Sequence, residues 1–207
     1  MTLDEFIEIE DVFPQEESLS LSLDPPSKVL DKTLCYLVGP IDEDPDDGKV
    51  WRMKLKNKII EKKIGIQFLD PTDKLGNLAG EIGDEKAYHK KLKREHRWEE
   101  LSKFMHKVGR HDLRQVDISD FIIAKIDRNI HLCGTYDEVF TADRQHKPIL
   151  MIIEGGKENA PSWLFAFYDY NLMFDSDDEC IEYLIKINDG EINIDDRWVL
   201  IRKYLKM

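Results

Sequence analysis

Glu138 is the strongest candidate for a catalytic residue, because of where its carboxylate lies in the sequence. It follows the apolar run 120–127 and precedes a second such run at 147–153, and both have the composition of buried strands. The segment between the runs has the composition of a helix, so the pattern predicts one parallel strand–helix–strand unit. Ligands of open parallel sheets bind beyond the carboxyl ends of the strands. Glu138, in the first turn of the predicted helix, would face such a ligand.

The residues alone leave two alternative roles open for the carboxylate of Glu138. Thr135 and Glu138 have the spacing of a capping box, in which two side chains satisfy free amides at a helix N-terminus. Alternatively, the helix dipole keeps the carboxylate ionised and available as a nucleophile near neutral pH. A carboxylate nucleophile is well suited to substitution at the anomeric carbon of a sugar, through an oxocarbenium-like transition state.

Displacement of a base from a sugar also needs a group that protonates the leaving base. Asp112, before the central strand, and the adjacent His111 are the candidates. A positioned acid typically contributes ~10²–10⁴-fold to the rate. Cys133 is conceivable as a thiol nucleophile, but the sequence shows no Cys-His-Asn arrangement. The histidines lack zinc-site spacing and the acidic segment 42–47 does not match a calcium loop, so no metal ligands are predicted.

Strands and helices alternate along the chain around these residues. Apolar patterns predict strands at 33–38, 66–69, 120–127 and 147–153, with a fifth strand inside the aromatic segment 163–174, which is expected to be core. Helices are predicted at 49–64, at 84–109, after Gly134 and at 180–188, the last opened by a capping box at 176–179. Segment 197–204 fits either a helix or a strand. The predicted fold class is α/β, a doubly wound and mainly parallel five-stranded sheet with helices on both faces.

The N-terminal segment differs from the rest of the chain in composition. Residues 1–32 contain nine acidic residues against two lysines and are predicted to be an acidic extension, in which the alternation at 18–23 fits an edge strand. Residues 33–207 are predicted to form a single domain, because their number is typical of one hydrophobic core.

Charge and hydropathy exclude several classes of function. A formal net charge of −12 argues against nucleic-acid binding, which needs a basic face. The longest apolar runs fall far short of the ~20 residues that span a bilayer, so no membrane association is predicted. The acidic N-terminus lacks the features of a signal peptide, and three cysteines without paired spacing indicate reduced thiols. These features predict a cytoplasmic protein.

Five short blocks together resemble the nucleoside 2-deoxyribosyltransferase family. They are Tyr36-Leu-Val-Gly39-Pro40, Asp112-Leu113, Asp120-Phe-Ile-Ile-Ala124, Gly134-Thr135-x-x-Glu138 and Lys147-Pro148-Ile-Leu150. The blocks occur in the family's order and cover residues 33–153. The resemblance implies a flavodoxin-like sheet, a nucleoside or nucleotide as substrate, no metal or organic cofactor, and a homo-oligomer.

The resemblance also implies roles for individual residues. It implies Glu138 as the nucleophile and Asp112 as the carboxylate that works with the base. The other implied substrate-binding residues are Tyr36, Gly39, Pro40, Gly134 and Thr135.

The chain departs from the family's pattern at one position. Many members have an acidic residue two positions before the motif glycine, where it contacts the sugar, whereas this chain has Leu132. We expect Asp127, Arg128 or Asn129 to take over this contact, or the substrate to differ at the sugar or phosphate. Asn159, after the fourth strand, is a candidate for a contact borrowed between neighbouring subunits.

The expected function is transfer of deoxyribose between bases, on a nucleoside or a nucleotide, through a glycosyl-enzyme on Glu138. Two alternatives stay open. One is a hydrolase that cleaves deoxynucleoside 5′-monophosphates with water as the acceptor. The other is a nucleotide-binding module that has lost turnover.

Overall fold

A computed structural model of the protein describes residues 28–42, 44–73 and 83–200. The strands are β1 (Leu34–Val38), β2 (Gln67–Leu69), β3 (Phe121–Ile126), β4 (Ile149–Ile153) and β5 (Met173–Phe174). The helices are α1 (Lys49–Glu61), α2 (Gly83–Arg94), α3 (Trp98–Ile118), α4 (Cys133–Arg144) and α5 (Asp177–Asn188), and three short 3₁₀ turns lie between β4 and β5. The predicted edge strand at 18–23 lies outside the described residues. Among the described residues, no helix is both long and apolar enough to cross a membrane.

The five strands form one parallel sheet in the order β2-β1-β3-β4-β5. The central pairs are in register so that Tyr36 lies opposite Ile122, and Ile122 lies opposite Ile149. The strand order reverses between β1 and β3, which is the switch point where doubly wound sheets open a crevice for ligands. The predicted α/β, flavodoxin-like architecture is confirmed.

Helices cover both faces of the sheet, which explains why the central strands are continuous apolar runs and do not alternate with polar residues. In β1, Cys35 and Leu37 face the core beneath α1 and α5. Tyr36 and Val38 face the opposite core, beneath α3 and α4. The tyrosine of β1 is thereby directed to the face that also carries Glu138 on α4.

The predicted long helix at 84–109 is wrong, because the segment forms two helices. The chain turns at residues 95–97, where His96 adopts a left-handed conformation with φ of 57°. The second helix, α3, then continues to Ile118, well past the predicted end. Its N-terminal half packs against α2, where the rings of Tyr88 and Phe104 meet edge to face with centroids 5.5 Å apart. Asp112 therefore lies within a helix and not in a loop before the central strand.

The aromatic segment 163–174 is only partly core, in contrast to the prediction. Trp163, Phe167 and Tyr170 are exposed, whereas Leu164 and the two residues of β5 are buried. The physical reason is that β5 has just two residues, so the 3₁₀ turns before it run over the surface. The predicted fifth strand is confirmed at the end of the segment.

The two ends of the described chain contribute to the core beneath α1 and α5. Leu30 is fully buried there, and the ring of Trp198 lies 5.2 Å from that of Phe121. Residues 197–200 form neither the helix nor the strand that was predicted, and 201–207 lie outside the described residues.

The predicted capping box opens α5, since the Ser176 hydroxyl accepts a hydrogen bond from the amide of Glu179 at 3.2 Å. The domain boundary at residue 32 stays a prediction.

Candidate active site

A cleft of about 190 Å³ opens at the carboxyl ends of β1 and β3. The loop after β1, the C-terminal half of α3 and the start of α4 form its walls. The lining includes six of the residues predicted from sequence, which are Gly39, Pro40, Asp112, Gly134, Thr135 and Glu138. It also includes Asp42, from the acidic segment 42–47, and Arg52, His131 and Asp137, for which the sequence predicted no role. Among the described residues, no group of three or more histidine, cysteine or acidic side chains is arranged to hold a metal ion.

The carboxylate of Glu138 is held by a tyrosine from the sheet. The hydroxyl of Tyr36 donates a hydrogen bond to Glu138 Oε1 at 2.5 Å. Burial raises the pKa of the Tyr36 hydroxyl well above its ordinary value, and the negative charges of Glu138 and Asp112 raise it further. The phenol therefore keeps its proton throughout the neutral range and acts as a donor. Both carboxylates lie close enough to Tyr36 to influence its ionisation.

The capping-box interpretation of Thr135 and Glu138 does not fit the start of α4. The helix begins at Cys133 with Leu132 as its N-cap residue, and no side chain caps it. Thr135 is buried inside the first turn, so its hydroxyl is not in an N-cap position. The hydrogen bond from Tyr36 comes from a strand about 100 residues earlier in the chain, a contact that local sequence spacing cannot reveal.

Asp112 lines the same cleft from α3 and is largely buried. Two neighbours on the same helix contact its carboxylate. The side-chain amide of Gln115 donates to Asp112 Oδ1 at 3.4 Å, and His111 Nδ1 lies 3.6 Å from the same oxygen. The amide nitrogen of Gln115 also lies 3.0 Å from His111 Nδ1. The two residues that the sequence offered as alternative acids are thus parts of one hydrogen-bonded group.

Arg52 shapes the wall of the cleft formed by the loop after β1. It lies on α1, is fully buried and donates hydrogen bonds to four backbone carbonyls. Their donor–acceptor distances are 3.2 Å to Leu37, 3.0 Å to Gly39, 3.3 Å to Pro40 and 2.9 Å to Gly48. Bonds to backbone carbonyls have no side-chain signature, so nothing in the sequence distinguished Arg52 from its exposed neighbours.

Gly48 allows this arrangement because a side chain there would occupy the same space. Its φ is +68°, and an added Cβ would collide with the carbonyl oxygen of Pro40 and the guanidinium of Arg52. We expect Gly48→Ala to lower the free energy of unfolding by about 2–4 kcal/mol, measured by urea denaturation. Gly109→Ala is the control, because Gly109 lies in α3 with nothing within 4 Å of an added Cβ. Equal stability of the two variants would contradict the prediction.

The lining of the cleft does not include four of the predicted binding residues, which are Tyr36, Asp127, Asn129 and Asn159. Of these, Tyr36 is joined to the cleft by its hydrogen bond to Glu138. Asp127 Oδ1 accepts hydrogen bonds from the backbone and side-chain amides of Asn129, at 2.9 and 3.1 Å, within its own turn. Asn159 donates to the carbonyl of Gly155 at 2.8 Å and accepts from Arg128 at 3.4 Å. Their roles in substrate binding stay predictions.

Leu132 is buried and lines the cleft, where Asp42 and Asp137 supply carboxylates in addition to Asp112 and Glu138.

Comparison with known proteins gives a likeness in structure but none in sequence. No family model matches the chain, and no curated protein matches it in sequence. Among solved structures, the chain is similar to a 2-desoxiribosyltransferase from Leishmania mexicana, with 19% sequence identity and a TM-score of 0.47. The match covers 74% of this chain and 97% of that structure.

Proposed function

We propose that the chain is a nucleoside 2-deoxyribosyltransferase. The observation that carries the proposal is the pairing of two carboxylates in one cleft. Glu138 is held by the protonated hydroxyl of Tyr36, and Asp112 is held by a hydrogen-bonded group on the facing helix. Two carboxylates with different surroundings can act as nucleophile and acid in displacement at an anomeric carbon.

The proposed reaction has two displacements at C1′ of the sugar. In the first, Glu138 forms a bond to C1′ while the bond from C1′ to the base nitrogen breaks, and the base takes a proton from Asp112. In the second, the nitrogen of an acceptor base attacks C1′, releases Glu138 and returns a proton to Asp112. Each displacement inverts C1′, so the product keeps the configuration of the substrate. Tyr36 holds Glu138 in one orientation for attack.

Base exchange, followed by chromatography, tests this proposal. The wild-type protein is incubated with each 2′-deoxynucleoside, with and without a second free base. A new deoxynucleoside that forms only with the added base supports the transferase. Release of base without an acceptor would favour a hydrolase, and binding without any consumption would favour a nucleotide-binding module.

The charges of the cleft predict a preference between nucleosides and nucleotides. Among its described lining residues, Asp42, Asp112, Asp137 and Glu138 are acidic, and the guanidinium of Arg52 already donates to backbone carbonyls. Repulsion between a phosphate group and nearby carboxylates weakens binding by ~1–4 kcal/mol for each close pair of unit charges at a solvated site. We expect kcat/KM for 2′-deoxynucleosides to exceed that for their 5′-monophosphates by about tenfold or more. Equal values in the same assay would contradict this prediction.

Tyr36→Phe tests the hydrogen bond to Glu138 separately from the fold. Phenylalanine keeps the buried ring and removes the hydroxyl that donates to Glu138. We expect kcat to fall by about 10- to 100-fold, because a hydrogen bond to a charged group contributes ~1.5–3 kcal/mol. Tyr183→Phe, beneath the opposite face of the sheet, is the control. A Tyr36→Phe variant with the kcat of the control would show that Glu138 does not need this contact.

A further inference from the structure

We propose that Gln115 is a positioning residue for Asp112, because its side-chain amide bridges Asp112 and His111 and thereby places the proton that Asp112 donates. Specifically, the proton for the leaving base would lie on Asp112 Oδ2, since Oδ1 accepts from Gln115. This inference rests on the function proposed above and extends it to a residue that does not line the cleft.

The geometry of α3 brings the three side chains together. Residues 111, 112 and 115 are spaced so that Gln115 lies one turn after the other two, where side chains three and four positions apart meet. The amide nitrogen of Gln115 is 3.0 Å from His111 Nδ1 and 3.4 Å from Asp112 Oδ1. Gln115 is buried, with 7% of its surface exposed, so its amide hydrogens depend on these acceptors more than on water.

The donor count of the amide determines where the protons lie. A primary amide has two N–H groups, so it can donate to both acceptors at once. His111 Nδ1 must then be unprotonated, which places the imidazole proton on Nε2. Asp112 Oδ1 must likewise be an acceptor, so a proton carried by this carboxyl group lies on Oδ2. The opposite orientation of the amide would set its oxygen against the carboxylate that Asp112 becomes after it has given up its proton. The orientation with both N–H groups donating therefore serves both steps of the reaction.

The bridge matters for the proposed reaction because proton transfer needs a fixed donor. As the bond from C1′ to the base breaks, the Oδ2–H bond of Asp112 breaks and its proton moves to the base nitrogen. The negative charge that develops on Asp112 is stabilised by the Gln115 N–H at Oδ1. In the return step the acceptor base gives its N–H proton to Oδ2. The bridge thus keeps Oδ1 an acceptor in both steps, so that Oδ2 is the oxygen that exchanges the proton with the base.

Nuclear magnetic resonance tests the bridge without any turnover. In ¹⁵N-labelled wild-type protein, at an alkaline pH where imidazoles are neutral, we expect His111 to be protonated on Nε2 and to show a scalar coupling across the hydrogen bond from Gln115 Nε2 to Nδ1. The coupling should vanish, and the Nδ1 resonance should shift, in Gln115→Leu. A wild-type His111 protonated on Nδ1, or an Nδ1 resonance that Gln115→Leu does not move, would overturn the inference.

Kinetics test the positioning role with a matched pair of variants. Gln115→Leu should lower kcat by about tenfold with KM unchanged, and more strongly for bases that leave poorly, because only those need the acid. Gln145→Leu is the control, since the Gln145 amide donates to Asp117 at 2.8 Å on the exposed surface. If Gln115→Leu folds poorly, Gln115→Asn replaces it in this test. Its amide is too short to reach both partners, so the same tenfold loss of kcat is expected.

The outcomes separate this inference from the proposed function. A kcat loss that is the same for good and poor leaving bases indicates a merely structural role for Gln115 and overturns the inference. A wild-type protein that consumes no nucleoside overturns the proposed function and, with it, the positioning role of Gln115. A missing bridge in the spectra of an active enzyme overturns the inference alone.

Discussion

Replacing Glu138 by glutamine is expected to reduce base exchange by at least about a thousandfold, because an amide oxygen cannot form the glycosyl-enzyme. The substitution is nearly isosteric, and the new amide oxygen can still accept the hydrogen bond from the Tyr36 hydroxyl. Stability should therefore change by no more than about 1 kcal/mol. The loss is measured as kcat/KM for exchange between a 2′-deoxynucleoside and a second base.

Intact mass spectrometry shows whether Glu138 is the nucleophile. Wild-type protein, quenched with acid during turnover, should carry an adduct with the mass of one deoxyribosyl group, and Glu138→Gln should carry none. Glu182→Gln is the matched control, because Glu182 is an exposed carboxylate on α5, on the opposite side of the sheet. A Glu138→Gln variant that keeps activity within tenfold of the control would contradict the proposed role.

The fold could be predicted from sequence to the extent that burial on both faces determines residue type. Strands β1, β3 and β4 are buried along their whole length or nearly so, and such strands can be recognised in the sequence as continuous apolar runs. The break between α2 and α3 could not be predicted, because residues 95–97 contain neither glycine nor proline. There the chain adopts a left-handed conformation at His96, which is uncommon for a residue with a side chain.

The site could be predicted where a residue follows a strand and its side chain enters the crevice. Glu138 and the Gly39-Pro40 pair are of this kind, since the topology alone directs them to the cleft. Asp127 and Asn159 also follow strands, yet their side chains are engaged by neighbouring backbone and side-chain groups in their own loops. Strand order locates a loop, but it does not determine which way each side chain in that loop points.

The second large effect is expected at Arg52, whose replacement by methionine should lower the free energy of unfolding by about 3–5 kcal/mol. The guanidinium is fully buried and donates to four carbonyls, so its loss leaves these acceptors without their donor. It also lies 3.8 Å from Asp70, which keeps a bond of 2.6 Å to Lys56. Methionine can fill much of the space beside Trp51 but cannot donate.

Urea denaturation measures this effect as a shift in midpoint at constant slope. Lys54→Met is the matched control, because Lys54 is an exposed cation on the same helix and should change stability by less than about 0.5 kcal/mol. Arg52→Lys should be nearly as unstable as Arg52→Met, since an ammonium group cannot reproduce the planar fork that reaches four carbonyls. Arg52→Met within 1 kcal/mol of wild type would show that the loop after β1 does not depend on Arg52.

Arg52 connects stability to the proposed activity because the carbonyls it binds belong to the wall of the cleft. Gly39 and Pro40 line the cleft, and both accept hydrogen bonds from the guanidinium. At a temperature where Arg52→Met is still folded, we expect KM for the nucleoside to rise more than kcat falls. The reason is that a loosened wall weakens substrate binding while Glu138 and Asp112 stay in place on α4 and α3. A fall in kcat at unchanged KM would instead show that the wall positions the reacting groups themselves.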